Sequence, residues 1–160
     1  MQQTENLNVA ALDVMPSPDE VKAHVPLDEP GARTVVEGRR TLEAILDRRD
    51  PRLFVVVGPC SIHDPAAGLD YARRLRALAD EVSRTLYLVM RVYFEKPRTS
   101  TGWKGFINDP RMDDSFRIDE GMERARRVIS GRDVGAFRGT SSRESAHPYG
   151  WETVRPRWAG

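Results

Sequence analysis

Two short apolar runs with a capped helical pattern between them restrict the folds open to this chain more than any other feature. Leu53-Phe54-Val55-Val56-Val57 is too short for a helix, rich in β-branched residues and bounded by Pro51 and Gly58, as expected of a parallel-sheet strand buried on both faces. Leu86 to Tyr93 reads as a second strand. Between them Asp64 stands where an N-cap belongs and Pro65 suits the first helical position, while Leu69, Ala72, Leu75, Leu78 and Val82 share one helical face. A strand, a helix and a strand in that order predict a right-handed βαβ unit, so the loops after the two strands leave the same edge of one sheet.

Those loops hold the residues with the most chemistry. The first, Gly58-Pro59-Cys60-Ser61-Ile62-His63-Asp64-Pro65, delivers the single cysteine, and the second delivers three cations, Arg91, Lys96 and Arg98. One cysteine cannot form an internal disulfide, which leaves Cys60 as a buried thiol, a nucleophile or a metal ligand. A thiolate site for a divalent metal needs three or four donors from several loops, and only His63 is near Cys60 in sequence. His63 serves equally as a loop or cap hydrogen-bonding group beside Asp64-Pro65. Lys96 and Arg98 flank Pro97, which stiffens the loop and suits the pair to a phosphate or carboxylate; the competing reading is a solvated basic turn. Their place after a buried strand favours the anion site, because loops at that end line the active face of α/β folds.

The flanking sequence is less regular. Pro16, Pro18, Pro26 and Pro30 punctuate residues 1–32, predicting an extended arm with a helical turn near Asp19 to His24. Apolar spacing from Thr34 to Arg48 predicts a helix, and a further one is expected over Asp119 to Val128 with Met122 and Ala125 inward. Residues 94–118 carry no convincing element, and a loop of that length and polarity is usually functional or mobile. Trp103 is read as its packing anchor, and His24 and His147 as surface histidines. The segment 129–160 loses apolar periodicity and turns to Arg, Gly, Ser, Pro and Trp, as an out-of-frame translation does; it is expected to be an aberrant, disordered tail.

Charge excludes some partners. Lys plus Arg number 25 against 24 Asp plus Glu, a formal +1, so no broad electrostatic footprint points to nucleic acid or an anionic membrane. With no basic leader at Met1 to Met15 and no long apolar run, the expected location is the cytoplasm.

Three segments together carry a resemblance. Val57 to Pro65, Met90 to Thr99 and Gly102-Trp103-Lys104-Gly105-Phe106-Ile107-Asn108-Asp109-Pro110 are similar to the type I 3-deoxy-D-arabino-heptulosonate 7-phosphate (DAHP) synthases, in the family's order and spacing. Asp50-Pro51-Arg52-Leu53 and Met112-Asp113-Asp114-Ser115-Phe116 extend the likeness, which covers about residues 10–128. It implies an α/β fold, namely a truncated (β/α)8 TIM barrel of which residues 33–128 form the first two βα units, with residues 1–32 as N-terminal extension. It also implies a transferase that condenses phosphoenolpyruvate with erythrose 4-phosphate, releasing phosphate, in the shikimate pathway to aromatic amino acids.

Carried over by motif, Cys60 is the metal-ligand cysteine and Arg91 a phosphoenolpyruvate contact. Lys96 lies close to both substrates, and Arg98 with Thr99 holds the phosphate of erythrose 4-phosphate; Arg91 and Lys96 are the catalytic pair. The family uses a divalent metal ion and forms homo-oligomers, partly through its N-terminal extension. Its remaining metal ligands come from later strands that no segment here matches, and a full barrel takes roughly 250 residues. A second reading is therefore a catalytically inactive, truncated or frameshifted fragment that binds a full-length synthase. A small phosphate-binding βαβ protein of another family explains the two loops but not the Gly102 to Pro110 segment. Two strands cannot cover both faces of a parallel sheet, so Val55, Val57, Leu88 and Met90 are expected to stay partly exposed and the lone chain to be poorly soluble.

Overall fold

A computed structural model of the chain describes residues 14–95 and 102–130. Ser17 opens α1 (Pro18–His24) with a reciprocal cap: its hydroxyl accepts from the Glu20 amide while the Glu20 carboxylate accepts from the Ser17 amide. This helix is the turn expected within the arm. Helix α2 (Glu29–Leu46) starts earlier than the apolar spacing predicts, because Asp28 caps it by accepting from Gly31 N at 2.9 Å and Pro30 fits its first turn. It stops at Leu46, and Arg48 follows in the left-handed region at φ 58°.

Strand β1 (Leu53–Val57), helix α3 (Pro65–Glu81) and strand β2 (Leu86–Met90) form the expected parallel unit, with Leu53 opposite Leu86 and Val57 opposite Met90. Asp64 caps α3 by accepting from Ala66 N at 2.8 Å. The second strand ends at Met90 rather than Tyr93, although Arg91 N still donates to Val57 O at 2.9 Å. Helix α4 (Ile118–Ser130) is slightly longer than predicted, with Ala125 buried and Met122 packed on the core.

Burial is one-sided, which corrects the expectation for the first strand. Among the described residues β1 has one neighbouring strand, β2, and α3 packs on β2, so Leu53, Phe54, Val55 and Val56 are exposed rather than buried on both faces. Val55 is open and Val57 partly so, as expected, but Leu88 and Met90 are buried, because α3 lies against β2 and the chain after it folds back onto the same core. That core joins Ala72 and Leu75 of α3 to Leu88 and Met90, to Phe94, Phe106 and Ile107 of the following loop, and to Ala125 of α4. α1 sits on α4 through Arg126, whose Nε donates to Val25 O, and through His24 Nδ1, 3.0 Å from the Glu123 carboxylate. His24 is thus exposed and paired across elements. The tail expected over 129–160 lies, from residue 131 on, outside the described residues.

At the start of the sheet Arg52 ties the two strands together. Its guanidinium meets the Asp50 carboxylate at 2.6 Å, donates to Ser83 O and lies over the Tyr87 ring at 5.4 Å. The side-chain hydrogen bonds from Arg52, followed by its backbone N–H, hold the Asp50 carboxyl below the usual carboxylate range. A lowered folded pKa contributes stability that is present above the unfolded value of about 3.9 and is lost as pH falls through the folded value. NMR titration of the Asp50 carboxyl is expected to give a midpoint below that value, and Arg52→Ala to raise it part of the way back, since the backbone N–H remains; an unchanged midpoint in the variant would remove the Arg52 side chain as the cause.

Candidate functional site

The site is built where the two strands end side by side. Gly58 passes so close to the next strand that a Cβ on it would lie 2.3 Å from Arg91 O. Beyond it, Ile62 N donates to Tyr93 O at 2.7 Å and the Ile62 side chain is buried, which returns the loop to the sheet. Between these two points the Arg91 side chain reaches across. Its Nη1 donates to Pro59 O and to Cys60 O, each at 2.8 Å, and its guanidinium carbon stands 4.8 Å from the centre of the Tyr93 ring. Arg91 and Cys60 are therefore brought together, as the two-loop prediction requires.

Cys60 is exposed rather than buried. Its neighbour Ser61 has its Oγ shut off from solvent with no hydrogen-bond partner among the described residues. His63 is exposed, and no group of three or more His, Cys, Asp or Glu among the described residues is disposed to hold a metal ion. A stable divalent site needs three or four donors. The described residues offer the Cys60 thiolate alone from the expected ligand set, so by themselves they do not fit the ion.

Lys96, Arg98 and Thr99 lie outside the described residues, but both ends of the segment that carries them are defined. Phe106 N donates to Phe94 O at 2.8 Å, Glu95 pairs with Gly105 in an antiparallel bridge, and the Phe94 and Phe106 rings are 5.8 Å apart with neither side chain exposed. Gly105 takes φ 111°, which a side chain rarely adopts. The loop beyond is fastened from below. Trp103 Nε1 donates to Asp109 O at 2.7 Å, bearing out its reading as a packing anchor. Asp109 is 2% exposed, and its carboxylate accepts from the amides of Asp113 and Asp114, next to the left-handed residues Met112, Asp114 and Phe116. Arg124 of α4 lies 5.0 Å over the Phe106 ring, donates to Pro110 O and meets Glu120, which also binds Arg111 at 2.8 Å. Gly121 lets α4 come this near, since a Cβ there would fall 2.0 Å from Ile107 O.

Three contributors escape the sequence pattern. Tyr93 reads only as a strand residue, yet it carries the Arg91 guanidinium on its ring. Ile62 and Asp109 organise their loops without any local pattern that singles them out; an acidic residue before proline within a tryptophan-bearing loop is the available signal for the latter.

Comparisons with known proteins agree with this arrangement. The DAHP synthetase I family matches residues 28–141. The Tyr-sensitive phospho-2-dehydro-3-deoxyheptonate aldolase of Escherichia coli K12 is 52% identical over 124 residues, covering 78% of this chain and 35% of its own length. A phospho-2-dehydro-3-deoxyheptonate aldolase of Amycolatopsis methanolica is 50% identical over 124 residues, covering 76% of this chain and 61% of its own. The solved structure of the Francisella tularensis SCHU S4 aldolase superposes with a TM-score of 0.72 at 42% identity, over 79% of this chain and 37% of that one. The chain spans about a third of the length of most of these relatives. With 114 consecutive positions, 28 through 141, inside the family match, the chain belongs to the DAHP synthetase I family.

Proposed function

We propose that the chain is the N-terminal part of a 3-deoxy-7-phosphoheptulonate synthase, a transferase that joins phosphoenolpyruvate to erythrose 4-phosphate. In this reading β1-α3 and β2-α4 are the first two βα units of a (β/α)8 barrel, and the open edge of β1 is where the barrel's last strand closes on its first. The observation that carries it is the meeting of Arg91 with the Cys60 loop at the C-terminal ends of two parallel strands, the end at which barrel enzymes place their chemistry.

Arg91 supplies a charged fork for the anionic end of phosphoenolpyruvate, and Lys96, Arg98 and Thr99 hold erythrose 4-phosphate by its phosphate. Held in this way, C3 of phosphoenolpyruvate attacks the aldehyde carbon of erythrose 4-phosphate to form the new carbon–carbon bond. Water adds at C2, and the phosphate of phosphoenolpyruvate leaves with its bridging oxygen. The protein's contribution at these residues is the positioning of two anions that repel one another in solution. Cys60 would be one donor to the divalent metal ion of the family, the remainder coming from later strands that no segment of this chain matches, and the working form is a homo-oligomer.

A chimera tests the reading. Residues 28–130 of this chain, placed in the Tyr-sensitive Escherichia coli relative in place of its own matching segment, are expected to support condensation, and Arg91→Ala in the chimera to abolish it. A folded chimera without turnover, or one indifferent to Arg91, would count against it. The exposed apolar edge of β1 favours one second reading, a catalytically inactive fragment that binds a full-length synthase through unpaired surface. Failure to co-purify with a full-length family member removes it.

A further inference from the structure

We propose that Arg91 is a positioning residue for the Cys60 peptide in addition to an anion contact: one nitrogen of its guanidinium fastens the loop that carries the thiol. The inference deepens the synthase reading, which places both residues in one site, but the contacts that carry it stand without that reading.

The loop from Gly58 to Ile62 is attached at its entry, middle and exit to residues 91–93 of the chain beside it. Its entry is held by the close approach of Gly58 to the Arg91 backbone and by Arg91 N on Val57 O; its exit is held by Ile62 N on Tyr93 O. The Arg91 side chain holds the middle, where Nη1 donates at 2.8 Å to two successive carbonyl oxygens, Pro59 O and Cys60 O. Two carbonyls converging on one donor repel each other, and a positive charge between them offsets that repulsion. The ring of Tyr93, whose centre is 4.8 Å from the guanidinium carbon, supports the group from one side. A lysine at this position has the charge and enough N–H donors for both carbonyls, but it lacks the flat face and loses the stack on Tyr93. Pro59 has no backbone N–H, so its carbonyl is the one main-chain group through which a hydrogen bond can fasten it. Arg91 therefore sets where the Cys60 side chain starts from.

The full 160-residue chain carries its own probe, because Cys60 is its single cysteine and takes a methanethiosulfonate nitroxide without further change. Amide hydrogen exchange of Ile62 and the mobility of the nitroxide on Cys60 are measured in the wild type, Arg91→Lys and Arg91→Ala. Expected in Arg91→Ala is an Ile62 exchange at least about tenfold faster, since two charge-assisted hydrogen bonds are lost and one alone makes about that factor in a local opening equilibrium. The nitroxide becomes more mobile, the amides of β2 keep their wild-type protection, and Arg91→Lys falls between the two. Equal Ile62 exchange in all three proteins, protected or unprotected, overturns the proposal, as does acceleration shared equally by the whole of β2. Adding inorganic phosphate separates this proposal from the function it deepens. If Arg91→Ala loosens the loop while wild-type chain gives no sign of binding phosphate, the clamp stands and the anion role fails.

Discussion

Phe106→Ala is expected to destabilise the folded chain by about 3–5 kcal/mol, the range for deleting a large buried aromatic. The ring is fully buried, it packs on Phe94 at 5.8 Å, and Arg124 covers it at 5.0 Å. The aromatic pair and the cation over the ring together contribute on the order of 1–2 kcal/mol beyond burial, so most of the loss comes from the cavity and the forfeited transfer free energy. Phe106→Leu keeps most of the volume and should lose no more than about 1.5 kcal/mol by packing, plus the contact with Arg124. Urea denaturation of the two variants measures the difference. Equal losses would mean that the cation, not the ring volume, supports this position. A second effect is local. The backbone of Phe106 donates to Phe94 O at the neck of the segment bearing Lys96, Arg98 and Thr99, so the alanine variant should exchange its residue-106 amide faster than the leucine variant does. Loss of stability and loosening of the neck then go together, because the same two rings hold both.

Much of the βαβ unit is legible in the sequence because it rests on local rules. Asp64-Pro65 before an apolar helical face leaves little choice of where α3 begins, and five consecutive apolar residues between Pro51 and Gly58 leave little choice of strand. The exposure of β1 is legible only through the count of strands, which leaves Val55 and Val57 open; by composition Leu53 to Val57 is a doubly buried strand whether or not a second neighbour is present, because burial depends on what lies alongside. The start of α2 is hidden for a related reason. Glu29-Pro30-Gly31 looks like a turn until Asp28 is seen to cap it. At the site, residue types point to a thiol and an anion, but Arg91 donating to two carbonyls of the thiol loop depends on a strand register that no local pattern encodes. Asp109 is equally hidden, since the left-handed Met112 and Asp114 it braces have side chains and no glycine marks the turn.

Gly58→Ala is expected to damage the fold at the thiol loop, costing about 3 kcal/mol, at the upper end of the usual range for overpacking. The new Cβ would meet Arg91 O at 2.3 Å and Arg91 Cβ at 3.0 Å, and the first of these is backbone, so no rotamer change relieves it. An opposing effect exists, since an alanine in place of glycine restricts the unfolded chain and so stabilises by about 0.4–1 kcal/mol, but it is too small to reverse the sign. Relief comes only from parting the ends of the strands. That movement lengthens the bond from Arg91 N to Val57 O, now 2.9 Å, and carries the Arg91 guanidinium away from Pro59 O and Cys60 O. Gly68→Ala is the control. Its Cβ meets only side-chain atoms of Ile62, the nearest at 3.2 Å, and the alanine gains up to about 1 kcal/mol of helix propensity inside α3. Denaturation of the two variants should therefore show one large loss and one change near zero, with amide shift changes in Gly58→Ala concentrated at residues 57–62 and 91–93. If Gly58→Ala proved as stable as wild type, the strand ends would lie farther apart than described, and the link from Arg91 to the Cys60 loop would fail with them.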